Sequence, residues 1–219
     1  MSAALTLHTY WRSSAAWRVR IALHLKGLAY ESVPVHLVRE GGEQRTPEFT
    51  RRNPQQLVPT LQHGDAVLTQ SLAIIEYLDE TFPEVPLLPG NPLSRARARA
   101  LAQLVACDIH PLGNLRVLQY LEHTLQLPSD ARTRWIARWV GDGLAAFEAL
   151  LVAHGAGEFC VGSTPSLADC ALVPQLYNAR RFGVDLEPYP TIRRIEAACV
   201  ALPAFAAAAP ERQADAPPA

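Results

Sequence analysis

The sequence predicts an α/β domain followed by an all-α domain. Three observations carry this reading. Strand and helix signals alternate over the first third of the chain. The segment PEVPLLPGNP then places four prolines and one glycine in ten residues, the composition of a linker. Beyond it strand signals almost vanish and helical periodicity takes over. The boundaries read as 1–86 for the α/β domain, 87–94 for the linker and 95–219 for the helical domain.

The elements follow in order. Leu5, Leu7 and Thr9 alternate with Thr6 and His8, a short strand. Ser13 and Ser14 then stand before a helix with Val19, Ile21, Ala22 and Leu25 apolar, which stops near Gly27. Tyr30 to Leu37 reads as a second strand, and strand–helix–strand implies a parallel pair. EGGEQRTPEFTRRNPQQ is polar and rich in breakers, a loop with one helical turn. LVPTLQHGDAVLTQ reads as two short strands around a turn at Gly64-Asp65. Ser71 opens a helix that closes before Pro83. After the linker, Pro111 forces a bend or break in a helical stretch. Trp135, Ile136, Trp139, Val140, Leu144, Phe147 and Leu151 form an apolar stripe at helical spacing, which reads as core. Ser166 and Asp169 have capping-box spacing ahead of another helix. The tail from Pro210 is Ala/Pro/Gln-rich and is expected to fray.

Composition narrows the function classes. The chain has 219 residues, 49% hydrophobic and 19% charged, with a formal net charge of −1. That balance is globular and offers no electrostatic footprint for nucleic acid or an anionic membrane. MSAALTLH has no basic n-region and no long apolar core, so no signal peptide is expected. No run of about 18 apolar residues suggests a membrane span. Cys107, Cys160, Cys170 and Cys199 lie in apolar surroundings without paired spacing, which fits reduced thiols and a cytoplasmic location.

Several residues could carry chemistry. Serines at a helix start can cap the helix, or donate to an anion facing its free N–H groups. A thiol held there would ionise more easily. Arg12, Arg18 and Arg20 beside them are either solvated or part of an anion site. Pro59 stands just before a strand, where an edge position or a cis Val58–Pro59 bond would accommodate it. A bend there would leave the Val58 backbone free to pair with an extended peptide. Gln70-Ser71 is a second hydroxyl at a second helix start. Arg116, Arg180 and Arg181 lie in apolar helical contexts, either snorkelling or clamping a carboxylate. Cys107, Asp108 and His110 do not close a zinc site, and no metal is expected. Neither a Ser-His-Asp pattern nor a G-x-S-x-G elbow supports an acyl-serine mechanism.

SSAAWRVRIAL resembles the zeta-class glutathione transferase signature, S-S-C-x-(W/H)-R-V-R-I-A-L. The resemblance continues in order through NPQQLVPTL, QSLAIIEYL, IHPLGNL, LADCALVPQ and ARRFGVDLEPYPTI. This class includes maleylacetoacetate and maleylpyruvate isomerases. The resemblance implies a thioredoxin-like N-terminal domain, an all-α C-terminal domain, a homodimer and glutathione as cofactor. It places Ser13 and Ser14 at the glutathione sulfur. Gln44, Val58 (through its backbone), Gln70 and Ser71 would hold the peptide. His110 and Asn114 would line the glutathione and substrate side. Arg12, Arg116 and Arg181 would meet the carboxylates of a small dicarboxylate substrate. The implied activity is cis–trans isomerisation of maleylacetoacetate or maleylpyruvate in tyrosine/phenylalanine or gentisate breakdown. The alternative is a transferase acting on small electrophiles such as α-haloacids. One departure stands out: Ala15 occupies the place of the signature cysteine. No protein thiol can assist there, so the nucleophile must come from the cofactor.

Overall fold

The computed structural model describes residues 4–218. The chain divides into two compact units. One runs to Leu87 and takes the chain back from Val200; the other is Leu88–Cys199.

The first unit opens with β1 (Leu5–Thr9), α1 (Ser14–Leu25) and β2 (Glu31–Pro34). Two 3-10 turns follow, then α2 (Pro47–Arg52), β3 (Thr60–His63), β4 (Ala66–Thr69) and α3 (Ser71–Thr81). The sheet order is β2-β1-β3-β4. β1 and β2 run parallel, as the strand–helix–strand pattern requires, and the β3–β4 hairpin is antiparallel. Leu7, paired with both Ser32 and Leu61, is fully buried at the centre. His8, on the opposite side of the alternation, is buried too and meets the edge of Phe49. The period-2 pattern therefore hides a strand covered on both faces. β2 is shorter than expected and ends at Pro34.

The second unit is helical. Its helices are α4 (Pro92–Gln103), α5 (Leu115–Gln119), α6 (Ser129–His154), α7 (Leu167–Arg181) and α8 (Pro190–Val200), whose last residue belongs to the first unit. α4 starts at Pro92, inside the predicted linker, with the Asn91 side chain as its cap. The break expected at Pro111 is a 3-10 turn, His110–Gly113, preceded by a π-helical stretch, Leu104–Ile109. Ile136, Val140, Leu144, Phe147 and Leu151 form the buried stripe of α6. Trp135 and Trp139 depart from it: Trp139 is exposed, and Trp135 sits edge-on to it. α6 passes close to the π-helical stretch at Gly143, where a Cβ would stand 2.3 Å from Ile109 Cγ1. The capping box of α7 forms as its spacing predicts, with Ser166 N–H on Asp169 Oδ2 at 2.8 Å.

The chain then returns to the first unit through α9 (Pro203–Ala208), which packs on α1. This return groups the segment from Val200 with the first unit, where composition extended the helical domain to residue 219. It also corrects the frayed tail. Gln213 Nε2 donates to the carbonyls of Ala207 and Ala209, and Asp215 accepts a backbone N–H from Trp11 at 2.9 Å. Among the described residues no helix is long and apolar enough to cross a membrane.

Candidate functional site

The strand register gathers the first unit's candidate residues. Thr9 ends β1 and pairs with Pro34 at the end of β2. His8 pairs with Thr60 at the start of β3, and Thr60 with Thr69 at the end of β4. The segments carrying Arg12, Ser13 and Ser14, Gln44, Val58, and Gln70 with Ser71 therefore all leave one end of the sheet. Two helices, α1 and α3, start at that same end. Their unpaired N–H groups and dipoles make it attractive to anions.

The two serines differ. Ser13 is the N-cap of α1; its Oγ accepts from Ala16 N–H at 3.2 Å, and the residue stays half-exposed. An accepting hydroxyl oxygen keeps its own O–H available to donate. Ser14 is the first helical residue and is buried. Ala15 is half-exposed on the same first turn. The guanidinium of Arg12 lies over the Trp11 ring at 5.0 Å.

The remaining arginines of this segment turn inward. Arg18 and Arg20 are buried within α1, at 2% and 0% exposure, and neither is solvated. Arg18 Nη1 donates to Ser71 Oγ at 3.2 Å. That bond puts a buried cation behind the start of α3 and leaves the Ser71 hydroxyl hydrogen free to donate outward. Arg20 grips the Thr9 hydroxyl and the Tyr10 and Trp11 carbonyls. Burial lowers its pKa to about 10, against the raising influence of Tyr30 and Asp215.

The loop ahead of Val58 is built by a residue the sequence reading did not single out. Asn53 is buried; its amide donates to the Leu57 carbonyl at 2.8 Å and its Oδ1 accepts from Gln55 N–H at 3.0 Å. The signal was an Asn before Pro, which favours this side-chain turn. The loop leads into Val58, whose bond to Pro59 is cis. Among the described residues, neither backbone group of Val58 has a hydrogen-bond partner. Gln70 stands at φ 69° and donates to Gln55 Oε1 at 2.9 Å, which ties the start of α3 to this loop. Gln44 is buried; its Nε2 donates to the Leu37 carbonyl, while its buried Oε1 has no partner among the described residues. Gly42, at φ 105°, makes room for it: a Cβ there would lie 2.5 Å from the Gln44 amide.

In the second unit, His110 opens the 3-10 turn and Asn114 caps α5, accepting from Arg116 N–H at 3.2 Å. Arg116 is exposed on the first turn of α5. Trp135 Nε1 donates to the Leu112 carbonyl at 2.8 Å and so fixes the turn between them. Arg181 ends α7, exposed, with its guanidinium 4.9 Å from the Phe182 ring centre. The neighbouring Arg180 is engaged in a two-pronged ion pair with Glu196. The sequence left both arginines open as clamps; Arg180 is already taken.

Residues 7–86 match the family described as glutathione S-transferase, N-terminal domain, and residues 129–207 the corresponding C-terminal domain. The chain belongs to the glutathione transferases, in the zeta class. It is 54% identical over 213 residues to the protein named "Probable maleylacetoacetate isomerase" of Vibrio cholerae, covering 97% of this chain and 99% of that one. It is 50% identical over 212 residues to the maleylpyruvate isomerase of a Ralstonia species, covering 96% and 99%. Among solved structures, a holo maleyl pyruvate isomerase, a bacterial zeta-class glutathione S-transferase, superposes with TM-score 0.93 at 49% identity, covering 97% of this chain and all of that one. A maleylacetoacetate isomerase from Anaeromyxobacter dehalogenans with bound dicarboxyethyl glutathione and citrate gives TM-score 0.87 at 48% identity, covering 98% and 94%. The transferase fold, with its thioredoxin-like first domain, is thus the one the sequence implied.

Proposed function

We propose that this zeta-class transferase is a glutathione-dependent cis–trans isomerase of maleylacetoacetate or maleylpyruvate, working as a cytoplasmic homodimer. The observation that carries the reading is the convergence at one sheet end of two helix starts, a half-exposed Ser13 hydroxyl and an unpaired Val58 backbone. Relatives bearing these two enzyme names share about half of their residues with nearly the whole chain.

The residues present fit a small thiol peptide. Val58 offers one N–H and one C=O, the pair an extended peptide would use. The buried Gln44 Oε1 lacks a donor. Ser71, backed by the Arg18 cation, and the start of α3 suit a carboxylate, with Gln70 beside them. Glutathione, when bound, supplies the thiolate that adds to the cis double bond and is eliminated once the carbon–carbon bond has turned.

The chain supplies the rest. Ser13 O–H and the first N–H groups of α1 favour the ionised over the neutral thiol. Ser14, buried in that first turn, stands with Ser13 at the thiol. Arg12, Arg116 and Arg181 hold the substrate's carboxylates and offset negative charge as it spreads toward a carbonyl oxygen. His110 and Asn114 line the substrate side. Ala15 leaves this turn without a protein thiol.

Isomerisation of maleylpyruvate and of maleylacetoacetate, followed by ultraviolet absorbance with and without glutathione, tests this. Catalytic turnover that requires glutathione is expected. Ser13→Ala should lower kcat/KM about a hundredfold, the usual cost of one donor aimed at developing negative charge. Arg116→Ala and Arg181→Ala should each raise KM for the diacid about tenfold. No turnover of either substrate, with a stable conjugate formed from an α-haloacid, would replace the isomerase reading by the transferase one.

A further inference from the structure

The turn that delivers Ser13 is held from behind by the end of the chain. Arg20, fully buried in α1, reaches four acceptors. Its Nη1 donates to Thr9 Oγ1 at 2.9 Å and to the Tyr10 carbonyl at 3.2 Å. Its Nη2 donates to the Trp11 carbonyl at 2.8 Å. Its Nε donates to the carbonyl of Ala208, the last residue of α9, at 3.2 Å. The Tyr10 carbonyl is also the acceptor of Ser13 N–H at 3.0 Å, the bond that closes the turn. On the other side, Trp11 N–H donates to Asp215 Oδ2. Both backbone groups of Trp11 are thus fixed by side chains, one from α1 and one from the C-terminal segment.

We propose that Arg20 and Asp215 are positioning residues for the Ser13 hydroxyl, and that the C-terminal segment Ala208–Asp215 is a working part of the thiol site. The inference rests on the reading that Ser13 faces the glutathione sulfur. Tyr10 and Trp11 anchor the turn's side chains against Val35, Phe49 and Val58, but that packing leaves Arg12 and Ser13 at its far end unanchored. The backbone bonds of the turn fix where its last residue stands, and a donor displaced by about 1 Å loses much of its effect on the charge it serves. Arg20 fixes the carbonyl side of the turn and Asp215 the N–H side. Asp215 needs only an acceptor oxygen for this task, so asparagine can replace it and alanine cannot.

The test compares wild type with Asp215→Ala and Asp215→Asn by two readouts. The first is amide hydrogen exchange over residues 10–13 in the ligand-free protein. The second is the pKa of bound glutathione's thiol, followed by thiolate absorbance. In the alanine variant, exchange of the Trp11 amide should speed up about tenfold, the bound thiol's pKa should rise by about half a unit, and kcat/KM for glutathione should fall about fivefold, the usual reach of one hydrogen bond. The asparagine variant should match wild type in all three. Unchanged protection in Asp215→Ala overturns the proposal. So does lost protection with the thiol's pKa unmoved, which would make the segment mere packing. Equal losses in both variants would show that charge, not the acceptor, is at work, and would overturn it as well. A wild-type protein that binds no glutathione overturns the reading of the site and the proposal with it.

Discussion

Arginine within WRVRIAL reads from local spacing as a solvated or ligand-facing cation, because guanidinium is seldom fully buried. Arg18 and Arg20 are buried because their acceptors come from elsewhere in the chain: Ser71 for one, the Thr9–Trp11 turn and Ala208 for the other. No window around α1 could reveal Ala208. Arg20→Met keeps much of the volume but leaves those acceptors without their donor. It should destabilise the protein by about 3 kcal/mol in urea unfolding, the cost of several buried groups losing partners less what water recovers. Ala15 shows the opposite case. Its place in the signature was legible, and the structure leaves it half-exposed on the first turn of α1. Ala15→Cys should fold normally and retain glutathione-dependent activity within about threefold, since half-exposed changes away from core contacts cost little; a large loss in the same assay would show that the pocket depends on alanine.

Capping signals were the most legible features among the elements. Ser166 and Asp169 are three residues apart, and both halves of the box form. Asp169 is fully buried and also accepts the Cys160 N–H at 2.9 Å, so one carboxylate ties the start of α7 to the loop before it. Burial pushes its pKa up, while the Cys160 and Ser166 donors work against that rise. Asp169→Ala removes these bonds at once and should lower stability by about 3 kcal/mol, read by the midpoint of thermal or urea unfolding. The interruption at Pro111 was also legible, because the ring removes a donor. Its flanking π-helical stretch was not. At its end Ile109 packs where Gly143 lets α6 come close, a contact between residues far apart in sequence. The Trp135 bond to the Leu112 carbonyl escaped notice for the same reason: helical spacing assigned both tryptophans of α6 to the core.

At the scale of the molecule, composition located the change from α/β to helical structure but not the return of the chain. An Ala/Pro-rich tail has no local pattern that announces a partner; α9 is defined by the face of α1 it covers. The first unit also carries a pH response. Burial lowers the pKa of His8, helped by the nearby Arg52 charge. Burial likewise lowers His24, with Arg20 adding to it. Below about pH 6.5 the unfolded chain takes up these protons more readily than the folded one, so stability must fall as pH drops, until the lowered folded pKa values are passed. The melting temperature should therefore decrease from pH 7 to pH 5. His8→Gln with His24→Gln should flatten that slope; an unchanged slope would place the response elsewhere.

The placement of α9 bears on how the protein is made. Arg20 emerges from the ribosome early, and its Ala208 acceptor is synthesised near the end. Until then the guanidinium has only the Thr9–Trp11 acceptors, and α1 lacks one of its covering helices. A nascent chain halted after Leu87 holds every strand of the sheet but not the segment that closes it over. The first unit can start to fold during translation, yet it cannot finish before the whole helical unit has been made. This long sequence separation slows closure and prolongs exposure of apolar surface on α1.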